Sequence, residues 1–561
     1  MTDTKMNGAE ALVQSMINQG IQYCFGIPGA KVDQLFEALE YCPDERAPKL
    51  IVTRHEQDAV FMAAAIGRLT GKPGVAMVTS GPGVGNLTTG LLTATTEGDP
   101  VIALGGQVPQ DDLNRATHQA ARNTDILSDV TKSSVEIHDA NNASEVFTNA
   151  YQTAMAPKQG ATFISLPQNV LAEEVTRPVL KPLGKVDHGR AGKATLNAIT
   201  EQIKKAKRPV ILAGMRASAP DNTQAIRNLI QKYALPVVET FQGAGVVSKD
   251  LVDHYFGRIG LFKNQLGDSI LRDSDLVLTV GYDPVEYEPR NWHDDNTPII
   301  NIDDVQTELS NDFQPIIDTQ TSVAKTLESI TDALPDQPEF PADTLAELNK
   351  LRSEYEKIDA ENYQQYVEQS AGEQERLNPL NLLEVVQDNV TEDTPITVDI
   401  GSHYIWMARY FKSYQPRTLL FSDGMQTLGV SLPWAIAASL VRPNQKIVSV
   451  SGDGGFLFSG QELETAVRLN SNIVQLIWND SHYDMVRFQE IAKYGKDSGV
   501  DFNNINYAEI ANGYGATGIR VNNLDEFEEA FKKAMKTDGP VVIDIPVDYS
   551  NNIKLKTSKL L

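Results

Sequence analysis

The segment from Ile447 to Tyr483, IVSVSGDGGFLFSGQELETAVRLNSNIVQLIWNDSHY, constrains the fold more than any other. Ile447–Ser451 is a β-branched run of strand type, and Gly452-Asp453-Gly454-Gly455 breaks it with a turn. Ser459-Gly460-Gln461-Glu462 has the capping-box pattern, so a helix is expected to start there, with Leu463, Ala466 and Val467 on its apolar face. Ile473–Trp478 is a second buried-strand run, ended by Asn479-Asp480. A strand–helix–strand unit of this length joins parallel strands. Both strands then end at one sheet edge. Asp453 and Asp480, 27 positions later, sit side by side there, where open α/β sheets bind ligands. Two carboxylates backed by a glycine turn suit a Mg²⁺ ion that also holds phosphate oxygens, with the glycines letting backbone N–H groups come close. Neither a Walker loop nor an EF-hand ladder is present.

Similar strand–helix alternation fills the rest of the chain, so the fold class expected is α/β, with three doubly wound parallel-sheet domains at 1–180, 191–333 and 375–548. In the first, short strand runs end at Gly26-Ile27-Pro28-Gly29, at Arg54-His55-Glu56 and at Ser80-Gly81-Pro82-Gly83. Glu56 stands at a strand end before Phe61, Met62 and three alanines, so its carboxylate is expected to face an apolar cavity. Residues 181–190 and the proline-rich, acidic 334–343 read as linkers. Thr344–Ser370 reads as a charge-laced helix on the outside of the third domain. The middle region has no GxGxxG, so no dinucleotide motif supports a nucleotide there.

A formal charge of −25 argues against nucleic acid or an anionic membrane as partner, and it means that an anionic substrate must be held by local positive groups. Cys24 and Cys42 form no metal pattern. The N-terminus has no signal layout and no apolar run approaches a membrane span, so the cytoplasm is expected.

GDGG followed by a strand-terminal Asn-Asp resembles the diphosphate–Mg²⁺ motif of thiamine-diphosphate (ThDP) enzymes, and GMQTLGVSLPWAIAASLV through WNDSHYDMVRFQ resembles the catabolic acetolactate synthases, over essentially the whole chain. The resemblance implies pyrimidine-binding, middle and diphosphate-binding domains, in that order. It implies an enzyme that condenses two pyruvates to 2-acetolactate with loss of CO₂, toward acetoin and butanediol. A pyruvate oxidase or decarboxylase of the same family is the alternative.

By the same resemblance, Asp453, Asp480 and the main-chain carbonyl of His482 are the metal ligands. Glu56 bonds the cofactor's aminopyrimidine at N1′, and Asn86 belongs to the loop that meets that ring. Gln426, Gly454, Gly455, Tyr483 and Asp484 surround the cofactor, and Leu428 wedges between its two rings; Gly401, Ser402 and His403 end the strand run Ile396–Ile400, which puts them on the same ligand edge, beside the diphosphate. Lys31, His118 and Gln119 are candidates for holding pyruvate, and Val486 and Gln489 line the substrate pocket. Flavin-requiring relatives carry a partly basic segment where this chain has Gly281–Pro289. The acidic Asp283, Glu286 and Glu288 there oppose a flavin's pyrophosphate, so no FAD is expected. The two halves of one active site come from different subunits in this family, so a homodimer is the expected minimum, commonly paired into a tetramer.

Overall fold

The computed structural model describes residues 6–184, 186–293, 297–336, 338, 340–341, 343–370, 377–552 and 555. Three six-stranded sheets, every pair of neighbours parallel, follow one another along the chain. The first contains β1 Tyr23–Gly26, β2 Lys49–Val52, β3 Gly74–Val78, β4 Val101–Gln107, β5 Ser133–Glu136 and β6 Ala161–Pro167, in the order β2-β1-β3-β4-β6-β5. The second contains β7 Pro209–Ala213, β8 Val237–Thr240, β9 Tyr255–Ile259, β10 Leu276–Val280, β11 Ile299–Asp303 and β12 Ile317–Gln320, in the order β12-β11-β10-β7-β8-β9. The third contains β13 Ile396–Val398, β14 Leu419–Leu420, β15 Ile447–Gly452, β16 Ile473–Asn479, β17 Thr517–Arg520 and β18 Val541–Pro546, in the order β14-β13-β15-β16-β18-β17. The first and third sheets thus share one topology, whereas the middle sheet has the strand order of dinucleotide-binding folds. Residues 375–376 of the expected third domain lie outside the described residues.

Central strands such as β3, β4, β10 and β16 are buried along their whole length, which is why they read as unbroken apolar runs rather than as alternation. The first and third sheets share one core on the sides that face each other, and each keeps a second core on its other side. Helices Glu56–Thr70 and Ser431–Val441 pack face to face, and one cluster runs from Val60, Phe61 and Ala63 to Trp434, Ile436 and Phe456. Arg68 crosses this seam. It pairs with Glu97 and Asp99, each at 2.6 Å, donates to the Phe421 carbonyl at 2.6 Å, and lies 4.6 Å over the Trp434 ring.

Two expectations need correction. Helix Thr344–Ser370 packs on the middle domain, not the third. Leu345, Leu348 and Leu351, spaced one turn apart, lie against that domain's core, and Arg352 donates to the carbonyls of Val252 and Tyr255. The helix after β15 starts at Asp453 rather than at Ser459. It runs Asp453–Ser459, then a 3₁₀ turn Gly460–Glu462, then Leu463–Arg468. Ser459 makes no cap, since its hydroxyl has no partner among the described residues. Glu462 is instead drawn into a contact with the first domain, so a tertiary bond wins over the local one. Among the described residues no helix is long and apolar enough to cross a membrane.

Candidate active site

β15 and β16 pair in register from Ile447↔Ile473 to Gly452↔Trp478, so Asp453 and Asp480 leave adjacent strands at one edge. Asp453 is 2% exposed and takes three backbone N–H groups: Gly454 at 2.8 Å on one oxygen, Asp480 at 3.1 Å and Ser481 at 2.6 Å on the other. Ser481 lies in the left-handed region (φ 64), which turns its N–H back toward that oxygen. A carboxylate has about four acceptor sites, so the three N–H groups leave one for a cation. Burial pushes the Asp453 carboxyl up to about 6, and a cation beside it would reverse that shift.

The cavity in front of this pair measures about 260 Å³. Asp453, Gly454, Gly455, Asp480, His482, Tyr483 and Asp484 line it from the β15 and β16 ends. Gly401, Ser402 and His403 line it from the end of β13, and Gln426 and Leu428 from the loop after β14. Val486 and Gln489, on helix Asp484–Tyr494, close one side. A Cβ on Gly455 would fall 2.7 Å from Asp399, and one on Gly454 would fall 2.6 Å from the Tyr483 ring, so only glycine fits this cradle. His403 is buried and neutral, its pKa pushed down to about 3 by burial, and its Nε2 has no hydrogen-bond partner among the described residues.

Among the described residues no three His, Cys, Asp or Glu side chains cluster, so a metal here would have two carboxylates and take its other donors from main chain, phosphate or water. That oxygen-rich set suits Mg²⁺. The His482 ring is held elsewhere, with Nδ1 2.6 Å from the Asp480 carbonyl and Nε2 3.0 Å from Asp501, which leaves its main chain as the part that could serve.

The loop bearing Gln426 and Leu428 is fixed from both ends. Asp399 accepts the N–H groups of Gly429 at 2.9 Å and Ser431 at 3.1 Å. At the other end the Ser422 hydroxyl donates to Glu97 of the first domain at 2.5 Å and accepts the Thr427 N–H at 3.2 Å. Gln426 has φ 50, and Gly429, at φ 87, provides the turn at the wedge.

The first-domain residues form a second group at their own sheet edge. Asn86 donates to Glu56 at 2.9 Å, a Cβ on Gly83 would lie 3.6 Å from Glu56, and one on Gly81 would lie 3.3 Å from Gln119. Lys31 bonds the Gln168 side chain at 3.3 Å, and His118 is exposed. None of Lys31, Glu56, Asn86, His118 or Gln119 lines the third-domain cavity. Glu56 itself is half-buried, at an edge that opens outward within one chain. The mouth of the cavity is apolar and exposed, with Tyr483 at 39% and Val486 at 50%.

Sequence reasoning missed Trp478, Met485 and Tyr549 in the lining. Tyr549 follows β18 and is buried. Three residues on, Asn552 donates to Asp484 and accepts from the Trp406 indole at 2.8 Å, while Ser402 also donates to Asp484 at 2.6 Å. Only the closing path of the chain brings this segment back, and no local pattern marks it.

In the middle domain, Asp283 and Glu286 do not face a ligand as free charges. Asp283 pairs with Lys158 at 2.8 Å and Arg216 at 2.9 Å. Glu286 is buried and accepts from Thr240 at 2.6 Å and from the N–H groups of Met215 and Asp283 at 3.0 Å each.

Residues 6–128, 196–330 and 399–545 match the thiamine pyrophosphate enzyme N-terminal TPP binding domain, central domain and C-terminal TPP binding domain, respectively. The chain is 47% identical to an acetolactate synthase of Bacillus subtilis over 99% of its length and 96% of the relative's. It is 41% identical to a catabolic acetolactate synthase of Raoultella terrigena, with 97% and 96% covered. A probable acetolactate synthase large subunit of Methanococcus aeolicus is 28% identical, with 98% and 93% covered.

Proposed function

The chain belongs to the thiamine-diphosphate-dependent acetolactate synthases, and from that premise we propose how its residues divide the work. The enzyme condenses two pyruvate molecules to 2-acetolactate and releases CO₂. The observation that carries the assignment of roles is the cavity that joins the Asp453–Asp480 pair to the glycine cradle and to the unpartnered His403 nitrogen.

ThDP, when bound, supplies the nucleophilic carbon and the electron sink that decarboxylation needs. Asp453, Asp480 and the His482 carbonyl would hold Mg²⁺, and through it the diphosphate. Gly454 and Gly455 let main-chain N–H groups approach the diphosphate, and Gly401, Ser402 and His403 flank it on the β13 side. Gln426, Tyr483 and Asp484 complete that wall, and Leu428 would wedge between the two rings of the cofactor. Glu56 carries the proton at N1′ of the aminopyrimidine, and Asn86 orients it. Lys31, His118 and Gln119 serve the anionic substrate, whose charge the protein's overall field repels. Val486 leaves room for the second pyruvate, and Gln489 fixes it by hydrogen bonds.

Because the cavity is lined by the third domain alone while Glu56 stands at a separate edge, we assign the working unit to a homodimer, paired into a tetramer, in which one chain's first domain covers the other's cavity. The Glu286 carboxylate occupies the turn where a dinucleotide's pyrophosphate would take the Met215 N–H, which favours a chain that works without FAD. We place the enzyme in the cytoplasm, its product feeding acetoin and butanediol formation.

The test incubates the purified protein with pyruvate, ThDP and Mg²⁺ without flavin, and assays acetoin with and without prior acidification. Acetoin that appears chiefly after acid supports the reading. CO₂ release with no acetoin in either half contradicts it.

A further inference from the structure

We propose that Glu462, with Asp58 beside it, is the positioning device for Glu56: it fixes the main chain that carries Glu56 to the first domain's ligand edge. The inference rests on the role given to Glu56 above.

β2 ends at Val52, and Glu56 opens the next helix four residues later. The third domain grips this short link at three main-chain points. The Arg468 guanidinium donates to the Val52 carbonyl. One oxygen of Glu462 accepts the N–H of Arg54 at 2.7 Å and of His55 at 2.9 Å. The Thr53 N–H goes to Gly26 at 3.0 Å, and the His55 ring caps the Gln57 N–H at 3.1 Å. The path into Glu56 is therefore bonded at every residue from Val52 to His55. Bonds from an ionised acceptor are about twice as strong as neutral ones, which suits a clamp.

Glu462 is fully buried, and its second oxygen accepts the Thr465 hydroxyl at 2.7 Å. The cations nearby are committed elsewhere: Arg54 pairs with Glu464 at 3.3 Å and Arg468 with Glu464 at 3.2 Å. The carboxyl that faces Glu462 is Asp58, itself fully buried. One oxygen of Asp58 accepts the Gln461 amide at 2.7 Å, and the other has no donor among the described residues. Two facing buried carboxylates do not both ionise. Asp58 therefore keeps a proton and gives it in a hydrogen bond to Glu462, whose charge the Arg54 and His55 N–H groups stabilise. Burial first, and then the Glu462 charge, push Asp58 up, with Asp399 as a further acid on that side. The same strand–helix unit thus carries Asp453 at its start and the clamp on Glu56 nine residues later.

The test uses the full-length protein with Mg²⁺ and ThDP and compares Glu56→Gln, Glu462→Ala, Glu462→Gln and Asp58→Asn. Three quantities are read: ThDP affinity by calorimetry, deuterium exchange at C2 of the bound cofactor across pH 6 to 9, and the melting temperature. Glu462→Ala is expected to slow exchange by ~10²-fold, the scale of a small misplacement of a catalytic group. Glu462→Gln keeps an oxygen acceptor and is expected to recover exchange to within about fivefold of wild type. In Asp58→Asn the amide replaces the shared proton. Wild type is expected to lose exchange at alkaline pH as the pair gives up that proton, and Asp58→Asn is expected to lack that decline. Wild-type exchange in Glu462→Ala beside a slow Glu56→Gln overturns the clamp and leaves the role of Glu56 standing. Wild-type exchange in Glu56→Gln overturns that role itself. Should Glu462→Ala fail to fold, a wild-type pH profile in Asp58→Asn together with unrecovered exchange in Glu462→Gln overturns the proposal.

Discussion

Asn86 holds Glu56 by a single amide-to-carboxyl hydrogen bond of 2.9 Å at the open edge of the first sheet. Removing the carboxyl as Glu56→Gln is expected to lower kcat by about 10²–10⁴-fold, the range of a lost proton-transfer group. Asn86→Ala, which leaves the carboxyl but frees it, is expected to lose about tenfold or less. Steady-state rates with pyruvate check both. Equal losses would mean that Asn86 does more than orient Glu56.

Asp453 is committed to three backbone donors as well as to the cation assigned to it. Asp453→Ala is therefore expected to weaken Mg²⁺-dependent ThDP binding by more than about 100-fold, beyond what losing a residue that only supports a metal ligand does. Titration calorimetry at fixed Mg²⁺ measures this. Unchanged affinity removes the metal assignment.

Leu428 sits on a loop tied to Asp399 at one end and to Glu97 through Ser422 at the other, so truncating its side chain leaves the loop in place. Leu428→Ala is expected to lower kcat by about tenfold or more through misorientation of the cofactor. Its melting temperature should move little, because the residue is only half-buried. A large fall in melting temperature with kcat intact would reduce Leu428 to a packing residue.

Glu286 gives a pH-dependent test of stability. Burial raises its carboxyl from 4.5 to about 7. A pKa raised on folding contributes stability that is full below the unfolded value and is lost as pH rises through the folded one. Glu286→Gln removes that loss, and its amide can donate to the Thr240 hydroxyl while its oxygen keeps the Met215 and Asp283 N–H groups. Relative to wild type, the variant should gain about 2–3 kcal/mol between pH 5 and pH 8. Melting curves across that range decide. A flat difference contradicts the shift.

The parts of this molecule legible in the sequence are those governed by local pattern. Strand ends are marked by glycine, aspartate or asparagine after an apolar run, so the edge carrying Asp453 and Asp480 can be placed from the sequence alone. Leu428 and Gln489 need the family resemblance, because an isolated leucine or helical glutamine has no pattern of its own. Tyr549 and Asn552 escape both routes, since only tertiary folding returns them to Asp484. The helix start at Asp453 is misread because Ser459 and Glu462 satisfy a capping rule locally while Glu462 is used across the domain seam. The polar helix Thr344–Ser370 is assigned to the wrong neighbour because its leucine stripe says that it packs, not on what.

The most direct measurement asks whether Glu56 of one chain serves Asp453 of another. Glu56→Gln and Asp453→Ala chains, each inactive alone, are co-expressed with different tags, and the mixed assembly is purified through both. Sites shared between chains leave one site with both lesions and one with none, so the mixed dimer is expected to regain up to about half of wild-type acetolactate synthesis. A mixed assembly no more active than either variant alone would show that the two carboxylates do not meet across chains, and would contradict the account.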